Sequence, residues 1–183
     1  MARRGNIRFP ASDIWDAPED HNRYEVIDGE LYVSPAPSWK HQRGVNRLNI
    51  IVGHHVLRHG LGEIVTAPTG VVLDEDNGVE PDIVYLSPAR LHLISRRGVE
   101  GAPDLVVEAL SPSTAERDRG IKMRRYAAAG VPHYWLLDPE AETLEAYRLG
   151  AAGYVRTGVY GRGEVFRPEL FPGLEIPIDA IWG

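Results

Sequence analysis

Two carboxylates stand where carboxylates are costly. Glu108 lies inside the run Leu105-Val106-Val107-Glu108-Ala109-Leu110, and Asp82 comes directly before Ile83-Val84-Tyr85-Leu86. Runs this apolar belong in strands covered by other elements. A buried acid must therefore find a cation, a strong donor or a proton. If the two strands are neighbours in register, the acids come within about 5 Å of each other. They would then repel unless a divalent cation lay between them. Mg²⁺, or Mn²⁺ in its place, takes few protein carboxylates, several waters and a phosphate oxygen. Lys122 lies about two turns into the helix expected after Glu108, on a stripe with Asp118, Tyr126 and Ala129. The underside of that helix would bring Lys122 over Glu108. There its ammonium would orient a water, help to deprotonate it and neutralise charge growing on a phosphate.

Other side chains weigh less, and each has a plainer reading. His41 shares a helical face with Val45 and Leu48 and points inward, as a core histidine or as a contact to phosphate or water. Arg117, Arg119, Lys122, Arg124 and Arg125 fall within nine residues. They form a solvated helix face or a set of phosphate contacts, with Arg119 and Arg125 the candidates carried forward. Tyr126, one turn beyond Lys122, packs in the core or touches the site. His55 and His59 are four residues apart and His54 is adjacent. The glutamate a metalloprotease helix needs is missing, and there is no cysteine, so zinc is set aside.

The whole chain bounds these readings. It has 183 residues, 43% of them apolar and 25% charged, as in a single soluble domain spanning 1–183. A chain this long buries roughly 70% of its unfolded surface, enough for a real core. No apolar run is long enough to span a membrane. The basic start, Met1-Ala2-Arg3-Arg4, has no apolar stretch behind it and does not read as a secretory leader. The absence of cysteine excludes disulfides, thiolate metal sites and a cysteine nucleophile, and it suits a reducing cytoplasm. A net charge of −6 argues against a protein that coats nucleic acid non-specifically. Local basic patches remain compatible with a specific phosphate substrate.

The elements that must position these groups read as follows. Residues 1–22 form an irregular lead-in with a short helix near Ser12. Arg23–Ile27 and Glu30–Ser34 flank Asp28-Gly29, a strong hairpin signal. Residues 38–59 form a helix with Val45, Leu48, Val52 and Val56 on one face and Gly60 as its stop. Glu63–Thr66, Gly70–Leu73 and Val79–Leu86 are β-like, with Asn77-Gly78 as the turn between the last two. Residues 87–103 read as a loop with a short helix. Leu105–Leu110 is a buried strand, and Ser113-Thr114-Ala115-Glu116 fits a capping box for a helix ending near Ala129. Tyr134–Leu137 is another strand, Leu144–Leu149 and Tyr154–Tyr160 a final hairpin, and Ile178–Trp182 a short helix. The class is α/β (α+β), a mixed sheet with helices packed on it.

Several segments together resemble the Uma-two family. They are Arg23-Tyr24-Glu25-Val26-Ile27-Asp28-Gly29-Glu30-Leu31, His41-Gln42, Glu80-Pro81-Asp82-Ile83-Val84 and Pro103 to Thr114, followed by Asp118-Arg119, Lys122, Tyr126, Gly130-Val131 and Tyr134 to Pro139. This bacterial group is placed in the PD-(D/E)xK, restriction-endonuclease-like superfamily. The resemblance covers roughly residues 20–175. It implies a mixed central sheet flanked by helices, with Asp82 as the acid of the Pro-Asp element and Glu108 as that of the (D/E)xK element. The position two after Glu108 is Leu110, so Lys122 on the next helix stands in for the usual lysine. Glu25 becomes the additional acid, or a ligand to a second metal. The implied activity is Mg²⁺-dependent endonuclease cleavage of DNA, with a symmetric homodimer suited to cutting both strands. The rivals are a non-catalytic nucleic-acid-binding or assembly module that kept the fold, and a metal-dependent hydrolase of RNA or another phosphate.

Overall fold

The computed structural model describes residues 7–183. Met1–Asn6, the basic start of the expected lead-in, lie outside the described residues. A 3₁₀ turn at Ala11–Asp16 precedes a hairpin of β1 (Arg23–Ile27) and β2 (Glu30–Ser34), and α1 (Trp39–His59) follows. Then come β3 (Glu63–Thr66), β4 (Gly70–Asp74), β5 (Asn77–Val79) and β6 (Ile83–Leu86). A second 3₁₀ turn (Pro88–Leu93), β7 (Gly98–Glu100) and β8 (Leu105–Ala109) come next. After β8 the chain forms α2 (Ala115–Arg117), a π-helical turn (Asp118–Lys122) and α3 (Met123–Ala129) as one continuous helix. β9 (His133–Asp138), β10 (Thr143–Gly150), β11 (Gly153–Tyr160), β12 (Val165–Phe166), β13 (Ile176–Pro177) and α4 (Ile178–Trp182) complete it. Among the described residues no helix is long and apolar enough to cross a membrane.

The strands form two main sheets, ordered β2-β1-β5-β4-β7 and β11-β10-β9-β8-β6-β3, with β12 and β13 paired apart. The six-stranded sheet is mixed, because β8 and β9 run parallel while β6 and β8 are antiparallel. Alternation along β8 divides the core. Leu105, Val107 and Ala109 face α1 and the C-terminal segment, while Val106 and Leu110 face the five-stranded sheet and α3. Glu108 shares the second face. Both layers are therefore buried, which explains why β8 reads as a continuous apolar run.

Most expected elements are present, and the departures have local causes. Val79–Leu86 is not one strand. Pro81 has no N–H for a ladder, so the chain leaves β5 in one sheet and enters β6 in the other across Glu80-Pro81-Asp82. Asn77-Gly78 is not the turn; Glu75-Asp76 is. Asp74 Oδ1 accepts from the Asp76 amide at 3.0 Å and from Asn77 Nδ2 at 2.8 Å, while Asn77 Oδ1 accepts from the Asp28 amide at 3.0 Å. Asn77 thus ties two hairpin turns together. Gly78 lies so close to Ala11 that a Cβ would sit 2.3 Å from its carbonyl oxygen. Ser113 does not cap the following helix. Its hydroxyl meets Ser111 Oγ at 3.1 Å, and Thr114 occupies the cap position with its hydroxyl on Ser111 Oγ at 3.0 Å instead of on a helix amide. Ser38 does cap α1, accepting from the His41 amide at 3.3 Å, and Gly60 closes that helix with φ 61°.

The two glycines inside α1 should respond oppositely to alanine. A Cβ on Gly44 would lie 2.7 Å from the Trp182 ring, whereas one on Gly53 meets nothing nearer than 3.5 Å. Gly44→Ala should destabilise by about 1–3 kcal/mol through overpacking. Gly53→Ala should stabilise by roughly 0.5–1 kcal/mol through helix propensity. Urea unfolding monitored by circular dichroism checks both, and equal effects would contradict the packing described.

Candidate functional site

The β6–β8 register pairs Ile83 with Val107 and Val84 with Val106. Continued by one residue, it sets Asp82 opposite Glu108, on the face covered by α3 and the five-stranded sheet. Glu25 reaches the same layer from β1, which pairs with β5 at Val26 and Gly78. Asp118 and Lys122 come down from the π-helical turn, where Tyr134 donates to the Asp118 carbonyl at 2.9 Å. Widened turns of this kind recur at functional sites because they re-aim side chains within an otherwise regular helix.

Lys122 is the hub, with 1% of its side chain exposed. Its Nζ lies 2.6 Å from Glu25 Oε1, 2.6 Å from Glu108 Oε1 and 3.6 Å from Asp118 Oδ1. Burial works against its charge, but Glu108, Glu25 and Asp118 outweigh burial and raise its pKa above the lysine norm. It therefore stays protonated. Flanked by Glu25, Glu108 and Asp118, this ammonium is a fixed counter-charge and hydrogen-bond donor. Tyr126, also buried, donates its hydroxyl to Glu108 Oε1 at 2.6 Å, so its ring packs and its oxygen positions the acid.

Asp82 is held by a separate set. Arg23 lies 2.6 Å from Oδ1, and the Ala109 amide donates to Oδ2 at 2.7 Å. His41 Nε2 is 3.3 Å from Oδ2, and its Nδ1 is buried with no partner among the described residues. Burial opposes ionisation of Asp82, yet the His41 bond and the Arg23 charge hold its carboxyl well below the usual range. Glu25 is also lowered, with burial outweighed by Lys122 and Arg23. Glu108 goes the other way. Burial, helped by the charges of Asp118, Asp82 and Glu25, overcomes Lys122 and pushes it up to about 8. Burial likewise raises Asp118 despite Lys122.

The charge balance explains this split. Glu25, Asp82, Glu108 and Asp118 are buried, while Arg23, Lys122 and Arg117 are the cations that reach them. These acids outnumber the guanidinium and ammonium groups, and Arg23 is shared with Glu80 at 3.6 Å, so Glu108 and Asp118 are left raised. Two hard oxygen donors facing each other across a strand pair, in a cluster short of positive charge, are a donor set that fits Mg²⁺ or Mn²⁺. Among the described residues no group of three or more histidines and carboxylates is arranged as a metal centre.

A cavity of about 420 Å³ opens beside the cluster. The three groups that bind Asp82, namely Arg23, His41 and Ala109, all line it, as do Ser111, Thr114 and Arg119. Arg119 also pairs with Glu145. Arg125 does not line this cavity; Asp28 at the β1–β2 turn holds it with two contacts of 2.6 Å. Tyr126 is likewise sealed beneath the floor. Arg117 lies 3.6 Å from Glu25 and over the Tyr32 ring, while Arg124 is exposed. His55 and His59 stack on each other at the far end of α1, with ring centroids 4.3 Å apart.

Arg23 was not singled out by sequence reasoning, and Arg117 was read as one of the basic run's phosphate contacts rather than as a partner of Glu25. Arg23 did carry a signal, since it alternates with Glu25 and Ile27 on one face of β1. Asp118 lay on the Lys122 stripe without being given a role. Nothing local pointed Arg117 to Glu25, which is 92 residues away.

Glu108 makes stability depend on pH. Its pKa is raised from an ordinary 4.5 to about 8 in the folded protein. Its contribution is therefore complete below pH 4.5 and is lost as pH climbs to 8, by at most about 1.4 kcal/mol per unit. Glu108→Gln cannot ionise. Its unfolding free energy should rise relative to the parent between pH 5 and pH 8, and urea titrations at three pH values should show the gap closing or inverting. A gap independent of pH would mean that Glu108 is not strained.

Comparison with known proteins gives this arrangement a context. The profile of the Uma2 family, described as "Putative restriction endonuclease", matches residues 11–179. A solved structure from Anabaena variabilis, titled a "putative nuclease belonging to DUF820", superposes with a TM-score of 0.78 at 19% identity. The match covers 95% of this chain and 97% of that one, and at this identity it speaks for the fold alone. No curated protein matches the chain. With a profile spanning nearly its whole length and a restriction-endonuclease-like mixed sheet, the chain belongs to the Uma2 family.

Proposed function

We propose that this protein is a metal-dependent nuclease that hydrolyses phosphodiester bonds of DNA at the mouth of the cavity beside Asp82. The observation that carries this reading is the opposed pair Asp82 and Glu108 in a cluster with more acid than base. The family match supports the nuclease class. Asp82 and Glu108 would hold Mg²⁺ or Mn²⁺. Such an ion supplies a lowered pKa for the attacking water and a counter-charge for the phosphate oxygens.

The chain's own groups do the rest. Lys122 stays charged and keeps Glu25 and Glu108 apart at fixed positions, adding positive potential where negative charge grows. Arg23 and His41 hold Asp82 in one rotamer. Tyr126 does the same for Glu108, so the acids lose little freedom when a cation arrives. Arg119 and the hydroxyls of Ser111 and Thr114 face the cavity and suit phosphate oxygens. Two copies related by a two-fold axis would present a site to each strand of a duplex.

A second reading, a non-catalytic nucleic-acid-binding module, draws on one observation: every acid of the cluster already has a partner within the chain. Cleavage assays on single- and double-stranded DNA and on RNA, with Mg²⁺, Mn²⁺ or EDTA, separate the two. The nuclease reading expects metal-dependent cutting that falls at least about 100-fold in Asp82→Asn and in Lys122→Met. Thermal melting shows whether each variant is folded, and Lys122→Arg serves as a milder probe. Binding of Mn²⁺ measured by calorimetry should disappear in Asp82→Ala. A folded parent that binds DNA but binds no metal and cuts no substrate would favour the module instead.

A further inference from the structure

A second cavity, of about 360 Å³, lies on the other side of the first turn of α1. Ser38 and His41 face the first cavity, while Trp39, Gln42 and Arg43 face the second. Asp82 lines the second cavity, and the three groups that hold Asp82 line the first. The two spaces therefore meet at the acid cluster, with the start of α1 as the ridge between them.

The helix presents an unusual face to this second space. Trp39, Gln42, Arg43 and Asn46 fall at i, i+3, i+4 and i+7, so they share one side of α1. Trp39 is 82% exposed, whereas Trp135 and Trp182 are almost fully buried. Gln42 and Asn46 are exposed carboxamides. Arg43 is anchored by donating to the carbonyl of Trp182, and its Nε is buried with no partner among the described residues. A flat aromatic face offers stacking to any base. Carboxamides carry a donor and an acceptor side by side, the pattern that pairs with a base edge. Neither chemistry is needed for a phosphate, and the first cavity already offers groups for phosphates.

We propose that the second cavity receives an unstacked nucleobase of the substrate strand, with Trp39 as its stacking face and Gln42 and Asn46 reading its edge. This rests on the reading of the acid cluster as a phosphodiesterase site. It adds that the substrate presents an unpaired base next to the cleaved phosphate, in a single strand or by flipping from a duplex. In a paired and stacked duplex both faces of the base are covered, and Trp39 would have nothing to stack on.

The test uses the full chain and a single-stranded DNA oligonucleotide, with Ca²⁺ in place of Mg²⁺ for binding. Binding should quench the fluorescence of exposed Trp39. Trp39→Ala should weaken it roughly 5- to 100-fold, and Trp39→Phe should keep most of it. A single abasic nucleotide moved along the oligonucleotide should cost the parent a similar factor at one position, and cost Trp39→Ala nothing there. In cleavage with Mg²⁺ or Mn²⁺ the loss should appear in KM rather than in kcat. Binding of Trp39→Ala within two-fold of the parent would overturn the proposal. So would an equal abasic penalty in both proteins, or an effect of the substitution confined to oligomeric state. If the oligonucleotide binds as described but neither it, a duplex nor RNA is cut, the nuclease reading falls and the base site stands. If the parent cuts and Trp39→Ala cuts with the same KM, the base site falls alone. If no single-stranded oligonucleotide binds, the base site falls, and the nuclease reading is decided by the duplex and RNA cleavage assays.

Discussion

The Lys122 ammonium, sealed between Glu25 and Glu108, is the contact around which the rest of the molecule is arranged. It joins the first hairpin, 97 residues away, to the central strand β8 and the helix that follows it. A buried cation of this kind is tolerated only when its partners sit at the right distance, because removing either side leaves an uncompensated charge in a poorly solvated place. The five-stranded sheet therefore has to lie where Glu25 meets Lys122. The π-helical turn has to aim both Asp118 and Lys122 inward, and β8 has to bring Glu108 up from below.

Pro81 supplies the second constraint. By ending β5 and sending the chain into the other sheet, it places Asp82 at the start of β6, opposite Glu108 and against the Ala109 amide. The same short segment thus links the two sheets and carries one of the two candidate ligands. Asp82 and Glu108 differ in their surroundings. Arg23 and His41 keep Asp82 ionised, while Glu108 absorbs the cluster's shortage of positive charge. The pair is asymmetric before any ion or substrate arrives, with one acid firmly charged and the other held by a lysine and a tyrosine.

Membership of the Uma2 family and the restriction-endonuclease-like sheet agree with this arrangement without deciding the reaction. What the site adds is chemical detail: opposed carboxylates, a fixed ammonium, a cavity lined by hydroxyls and guanidinium groups, and a second cavity faced by an aromatic ring and carboxamides. Net acidity at −6 is compatible with this, because the cations that matter are local and few.

Local chemistry by itself determined a good deal. The apolar neighbours of Glu108 and Asp82 required both acids to be buried, since a two-residue period with no polar face leaves a strand no exposed side. Asp28-Gly29 required a hairpin, and the helical spacing of Val45, Leu48, Val52 and Val56 required α1. The family motifs named Asp82, Glu108 and Lys122 together. Tertiary structure decided which charge meets which. Arg23 is the counter-charge that the fold sets against Asp82, and Arg117 reaches Glu25 across the whole N-terminal half. Asn77 became a tie between turns rather than a turn, because its side chain found Asp28. Partner choice of this kind depends on strand register and sheet packing, which are set by contacts distant in sequence. A side chain's neighbours in the chain can state that it needs a partner, but the partner's identity comes only when the sheets are closed on each other.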